Sequence, residues 1–205
     1  MPRSRRHRRA VAQAPRGRYG QHAFEPIWRA DRHLFGNTIP EQIAFWLFDD
    51  SSLTARILEA CDGPFRVEVI SQGWQVPMLN EAQYLHSKPV RRALVRQVYL
   101  YCNDRPWVFA RTVIPAATLR GKERHLAHLN DKPLGAVLFA EPSMRRGEVE
   151  VAAITPGQRL YDTATQHLVE PPACIWGRRS LFYLHDKPLL VNEIFLPEIY
   201  GHGAA

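Results

Sequence analysis

Residues 174–197 read Cys-Ile-Trp-Gly-Arg-Arg-Ser-Leu-Phe-Tyr-Leu-His-Asp-Lys-Pro-Leu-Leu-Val-Asn-Glu-Ile-Phe-Leu-Pro. Two runs rich in strand-forming residues flank the turn His185-Asp186-Lys187-Pro188, which is the signature of a hairpin. On the returning strand, two-residue alternation puts Leu189, Val191, Glu193 and Phe195 on one face. That face is apolar except for one carboxylate. A lone Glu in an apolar stripe must be paired, protonated or put to use.

The pattern occurs a second time. Residues 96–115 read Arg-Gln-Val-Tyr-Leu-Tyr-Cys-Asn-Asp-Arg-Pro-Trp-Val-Phe-Ala-Arg-Thr-Val-Ile-Pro. Aligning Pro106 with Pro188 also aligns Asp104 with Asp186, Arg105 with Lys187 and Pro115 with Pro197. Arg96 then falls opposite Arg178, and Arg111 opposite Glu193. Two copies are too few for a solenoid, so the repeat reads as pseudo-symmetry within one sheet; two hairpins that merely share a turn are the alternative.

Outward from the hairpins, Thr38 and Glu41 have capping-box spacing, predicting a helix to about Phe48 that buries Ile43, Trp46 and Leu47. Asp50-Ser51-Ser52 can cap a second helix, Leu53 to Ala60, stopped by Cys61-Asp62-Gly63-Pro64. Phe65 to Trp74 alternates as strand one, and 75–90 is a loop with room for a helical turn. The first hairpin supplies strands at about 92–102 and 106–114. A polar helix over about 118–130, an apolar segment over 136–140, a strand over Glu148 to Ile154 and a short helix within 157–168 lead to the second hairpin. Six strands, mostly hairpin-linked, with helices segregated from them, predict an α+β fold with an antiparallel sheet. No Gly-rich phosphate loop and no Gly-x-Ser-x-Gly occurs, so the usual nucleotide and acyl-transfer signals are absent.

The length of 205 residues suits one domain with a full core, and 45% apolar residues is ordinary for a globular chain. No run approaches a membrane span, and no apolar stretch resembles a secretory signal. The net charge of +7 has a location: seven arginines and no acid lie in residues 1–20, and the remainder carries 20 basic and 20 acidic residues. The basic balance therefore belongs to the N-terminal segment and does not mark a nucleic-acid-binding domain. Such a segment can touch RNA or anionic lipid or serve in targeting, but charge blocks rarely fold. Residues 1–22 are expected to be a disordered tail, and 23–205 one domain, a monomer with no nucleic-acid partner and no stable membrane insertion.

Cys61, Cys102 and Cys174 are widely spaced, odd in number and without a Cys-x-x-Cys. That pattern argues against a disulfide framework or a zinc site and for a reducing, cytoplasmic setting. His125 and His128 share a helix face near Glu123, but a metal site needs a third ligand there, so a solvated helix is expected.

Several blocks, in order, resemble the chorismate pyruvate-lyase family. They are Trp46-Leu47 with Ser52-Leu53-Thr54-x-Arg56, Gly73-Trp74, Arg96 through Pro106-Trp107 to Arg111-Thr112-Val113-Ile114-Pro115, Lys132-Pro133-Leu134-Gly135, and Trp176-Gly177-Arg178-Arg179-Ser180 through to Glu193-Ile194-Phe195-Leu196-Pro197. Together they span about residues 40–197. The resemblance implies a six-stranded antiparallel sheet with helices packed on it, a buried site closed by flaps, and no metal or cofactor. It implies elimination of pyruvate from chorismate to give 4-hydroxybenzoate for ubiquinone. It places the ring carboxylate on Arg96 and on the backbone amides of Leu53 and Leu134, with Glu193 at the other end of the ring. Some members carry Met where this chain has Leu53, which leaves a backbone contact intact. Residues 141–170 look longer than in compact members.

These residue types suit the chemistry. The planar fork of an arginine can grip a carboxylate bidentately. Glu193 can act as a general acid if apolar surroundings keep it protonated; alternatively the substrate passes its own ring proton to the enolpyruvyl methylene, and Glu193 only orients the ring hydroxyl. A carboxylate paired with Arg111 or Arg178 is the structural alternative. Arg111, Arg178 and Arg179 are expected to make structural pairs, with one of them open to meet the second substrate carboxylate. Two rival functions remain: a non-catalytic aromatic-acid sensor of the same fold, and an enzyme making a different hydroxybenzoate. The first would follow a winged-helix domain, for which the 40 preceding residues are too few.

Overall fold

The computed structural model describes residues 24–30, 33, 35, 38–86 and 92–202. The Arg-rich segment and its expected disorder lie outside them. Helix α1 (Glu41–Phe48) buries Ile43, Trp46 and Leu47, as the sequence predicts. Its N-cap is Pro40, with no side-chain cap, and Thr38 Oγ1 donates instead to Phe35 O. Pro40 supplies a fixed φ near the helical value, so the first turn forms without a capping box. Helix α2 (Leu53–Ala60) is capped by Ser52, whose hydroxyl accepts from the Ala55 amide at 3.4 Å.

The strands are β1 (Phe65–Gln75), β2 (Ala93–Cys102), β3 (Arg105–Pro115), β4 (Arg145–Arg146), β5 (Glu150–Ile154), β6 (Ile175–Leu184) and β7 (Lys187–Phe195). They form one antiparallel sheet in the order β1-β2-β3-β7-β6-β4, with β5 also pairing β6. The α+β class holds, but the expected six strands become seven. The extra strand, β4, has two residues and no room for alternation, the signal on which strand detection rests. Helix α3 (Leu79–Tyr84) fills part of the expected loop, α4 (Leu134–Phe139) begins two residues before the expected apolar segment, and α5 (Arg159–Thr165) is the short late helix. The expected polar helix is of 3₁₀ type, Gly121–His128, and its Glu123 turns inward to meet Lys187 Nζ at 2.5 Å and His185 Nδ1 at 2.9 Å.

Side-chain alternation gives the sheet two buried faces. Val98, Leu100, Val108 and Phe195 pack against Ile43, Trp46, Leu47 and Ile57 of α1 and α2. Leu94, Ile114, Leu189 and Val191 continue that face towards Leu126 and Leu138. On the other face Tyr99, Phe109 and Ile194 meet Leu160, Tyr161 and Ala164 of α5. Each such large apolar side chain, fully buried, contributes about 1.5–3 kcal/mol.

The two hairpins meet edge to edge through β3 and β7, so the sequence repeat is built around the centre of the sheet. The copies differ by one residue. Leu100 pairs Val108 and Tyr101 pairs Pro106, leaving Trp107 as a bulge, whereas β6 and β7 pair without a break. An extra residue reverses the alternation beyond it. Arg178 therefore faces Glu193, while its counterpart Arg96 faces Thr112 and not Arg111. Arg111, aligned with Glu193 in sequence, points to the opposite face.

The cysteine expectation is corrected as well. Cys61 and Cys102 are joined by a disulfide, and Cys174 is free. Antiparallel pairing sets Phe65 beside Cys102, and the tight Asp62-Gly63-Pro64 corner brings Cys61 back onto that strand end. A separation of 41 residues carries no spacing motif from which this could be read.

Candidate active site

A cavity lies between the sheet and the N-termini of α2 and α4. Its floor is Arg96, Val98 and Leu100 of β2, Ala110 and Thr112 of β3, and Val191 and Glu193 of β7. Ser51, Leu53, Thr54, Leu134 and Gly135 form the roof, and Arg146, Arg178 and Phe182 close one side. All four expected site residues, Leu53, Arg96, Leu134 and Glu193, line this one space.

Arg96 is 3% exposed. Its Nη1 donates to Asn130 O at 2.6 Å and Gln72 Oε1 at 3.3 Å, and its Nη2 to Lys132 O at 3.2 Å. Gln72 is itself fixed by donating to Ala127 O at 2.8 Å. The partners are neutral carbonyls, and among the described residues no carboxylate lies within ion-pair reach of Arg96. Burial pulls its pKa below the ordinary value, against the weaker pull of Asp131. The guanidinium has five N–H groups. The N–H on Nε and one on Nη2 are not used by these contacts.

Leu53 and Leu134 are the first residues of their helices, so neither amide has an intrahelical acceptor. The two helix starts approach closely because Gly135 has no side chain: a Cβ there would lie 2.8 Å from Thr54 Oγ1. Both residues, at the positive ends of their helices, border the same cavity.

At the other end Glu193 is paired, not isolated. Arg178 Nε donates to Glu193 Oε2 at 2.5 Å, and Arg178 Nη1 donates to the backbone carbonyls of Trp46 and Asp49. The apolar stripe thus contains half of an ion pair that bridges β6 and β7, so of the three options for a Glu among Leu189, Val191 and Phe195 the structure shows the paired one. The pairing with Arg178 weighed in the sequence is the one formed. Arg111 instead binds Glu81 through Nε at 2.8 Å and Nη2 at 3.0 Å, and Arg179 binds Glu150 at 2.6 Å, both from side chains facing away from the cavity.

The residue missed by sequence reading is Arg146, on β4. Its Nε donates to Ser180 Oγ at 3.1 Å and its Nη1 to Asp50 O at 2.9 Å; Nη2 lies 3.9 Å from Glu193 Oε2. Burial lowers its pKa, and the neighbouring Arg178 charge adds to that, while Glu193, Asp50 and Asp49 act the other way. Its only sequence signal is a second arginine in Met144-Arg145-Arg146, which resembles a solvated turn.

Comparison with known proteins agrees with this geometry. Residues 27–204 match the profile of the chorismate lyase family. A Methylococcus capsulatus protein named "Probable chorismate pyruvate-lyase" is 44% identical over 154 residues, covering 75% of this chain and 94% of that protein. One of the same name from Pseudomonas aeruginosa is 38% identical over 178 residues, covering 86% and 94%. Among solved structures, the C-terminal domain of the histidine utilization repressor from Pseudomonas syringae has a TM-score of 0.51 at 14% identity, covering 66% of this chain and 93% of that one. The effector domain of PhnF from Mycobacterium smegmatis has a TM-score of 0.51 at 12% identity, covering 72% and 89%. At such identities the structures show a shared fold alone. The sequence match over nearly the whole of its domain shows that the chain belongs to the chorismate lyase family.

Proposed function

We propose that the protein is a lyase that eliminates pyruvate from chorismate to give 4-hydroxybenzoate, the committing step towards ubiquinone. The observation that carries this reading is Arg96, a buried guanidinium whose partners are all neutral. A buried cation without a counter-charge is costly, and an entering carboxylate relieves that cost. Arg96 takes the ring carboxylate on the N–H groups that its carbonyl partners leave unused, and the amides of Leu53 and Leu134 add two donors. The cavity is lined by three arginines and one glutamate, a surplus that matches a dianionic substrate.

At the far end Glu193 Oε2 is engaged by Arg178, leaving Oε1 to accept a hydrogen bond from the ring hydroxyl. The pairing favours orientation over acid catalysis as the role of Glu193. In the reaction the ether bond between ring and enolpyruvyl oxygen breaks. The ring carbon bearing the hydroxyl gives up its proton, and the enolpyruvyl methylene gains one and becomes the methyl of pyruvate. The ring electrons become aromatic, so the step is downhill. The protein's share is to hold the dianion in one reactive pose, with water excluded by the apolar walls Val98, Leu100, Val191 and Phe182.

The test is incubation of purified protein with chorismate in the presence of a chelator. Equal amounts of 4-hydroxybenzoate and pyruvate are expected. Recovery of only 3-hydroxybenzoate, or tight binding without turnover, would overturn the reading.

A further inference from the structure

We infer that Arg146 is the substrate-binding residue that receives the second carboxylate of the dianion, the one on the enolpyruvyl arm. This rests on the chorismate reading above and assigns a contact that it leaves open.

The argument starts from what each cavity arginine already holds. Arg96 is committed to the ring carboxylate end, rooted on β2. Arg178 is 1% exposed, and its Nε and Nη1 are occupied by Glu193 and by two backbone carbonyls, so it serves the glutamate. Arg146 is different. Two of its three nitrogens are anchored on neutral oxygens, Ser180 Oγ and Asp50 O, and its guanidinium lies 5.3 Å from the centre of the Phe182 ring. The third, Nη2, is beyond hydrogen-bond distance of Glu193 Oε2 at 3.9 Å. That oxygen is already held at 2.5 Å by Arg178, so one carboxylate is shared between two guanidinium groups. Arg146 is thus a positioned cation with an open edge and half a counter-ion, the one condition besides that of Arg96 which an incoming anion improves.

Its place suits the ligand. Arg96 and Arg146 approach from opposite sides of the floor: Arg96 springs from β2, whereas Arg146 springs from β4, beyond β6. From β2 to β4 is four strand spacings, roughly 19 Å between backbones, which the two long side chains narrow from either side. In chorismate the enolpyruvyl ether sits on the ring carbon next to the one that bears the hydroxyl. If Glu193 accepts that hydroxyl, the second carboxylate must lie at the Glu193 end, where Arg146 Nη2 faces. The product 4-hydroxybenzoate lacks this carboxylate. Arg146 therefore distinguishes substrate from product, while Arg96 binds both.

That difference makes the test. Arg146→Gln keeps hydrogen-bonding shape and removes the charge; Arg146→Lys keeps the charge without the fork. Titration of 4-hydroxybenzoate and steady-state kinetics with chorismate are measured on both, alongside melting temperature. The expected result for Arg146→Gln is 4-hydroxybenzoate affinity within about twofold of wild type, with kcat/KM for chorismate lowered roughly tenfold to hundredfold, as for loss of a charge-assisted contact. Arg146→Lys should recover part of the loss. Equal loss for product and substrate would make Arg146 a wall of the cavity, and no loss for either would remove it from binding; both overturn the inference. If Arg146→Gln is unstable, Arg146→Lys gives the same split between ligands. Wild-type protein that fails to turn over chorismate would sink the proposed function itself, a result distinct from these.

Discussion

On the face of the sheet covered by α3 and α5, Arg111 and Arg179 each lie against a carboxylate of their own, Glu81 and Glu150. On the face covered by α1, α2 and α4, Arg146 and Arg178 share Glu193, and Arg96 has no carboxylate within ion-pair reach among the described residues. Both faces bury arginine, so burial of a charge does not by itself mark a site. The difference is in the balance. Where each cation has its own anion, the charges cancel within the fold and the interior closes over them. Where cations outnumber anions, the surplus lines a cavity, which is where we propose a ligand binds. The one-residue bulge at Trp107 produces the division, because it sends Arg111 away from the face that its counterpart Glu193 occupies.

The sharpest way to break this comparison is to unbalance the closed face. Glu81 is fully buried and accepts from Arg111 twice, from Asn192 Nδ2 at 3.2 Å and from the Met78 amide at 2.9 Å. Glu81→Gln leaves Arg111 uncompensated and should cost about 3–5 kcal/mol of stability, read from denaturant unfolding. A loss below 1 kcal/mol would show that the pairing there is not structural.

A smaller effect is expected at Glu193, on the open face. Glu193→Ala removes the group proposed to orient the ring hydroxyl and should lower turnover by about 10²-fold. Glu193→Gln keeps an acceptor there and should retain much of the rate. Both variants leave Arg178 without its carboxylate, so both are assayed below their melting temperatures. A Gln variant as inactive as the Ala variant would instead make Glu193 a proton donor.

The least effect is expected from removing residues 1–22. The rest of the chain is electrically balanced, so truncation should leave turnover and melting temperature unchanged while abolishing any salt-sensitive retention on nucleic acid or anionic vesicles. Loss of activity on truncation would show that the segment contributes to the domain.

Both hairpins, α1, α2 and the class of the sheet were legible because each rests on a local signal: turn residues at Asn103-Asp104 and His185-Asp186, strict alternation, and the Ser52 cap. Arg96, Leu53, Leu134 and Glu193 were reached through family resemblance, since spacing alone cannot say that β2, β7 and two helix starts meet. What stayed hidden is non-local. The disulfide depends on the β1–β2 register, and the fate of Arg111 on a bulge that leaves no mark in the sequence. The pairing of Glu193 with Arg178 was one of two options, and only cross-strand register decides between them. Arg146 sits on a two-residue strand in a tract without periodicity.

The central claim is that Arg96, which has no ion-paired carboxylate among the described residues, is kept open for a ligand. It is tested by measuring the melting temperature of Arg96→Ala with and without 4-hydroxybenzoate, together with its dissociation constant. The account predicts a ligand-free protein as stable as wild type or more so, because a buried uncompensated charge is gone. It also predicts affinity lowered about tenfold to hundredfold, with ligand stabilisation falling in step. A variant that is destabilised without ligand, as Glu81→Gln should be, yet binds 4-hydroxybenzoate as wild type does, would contradict it.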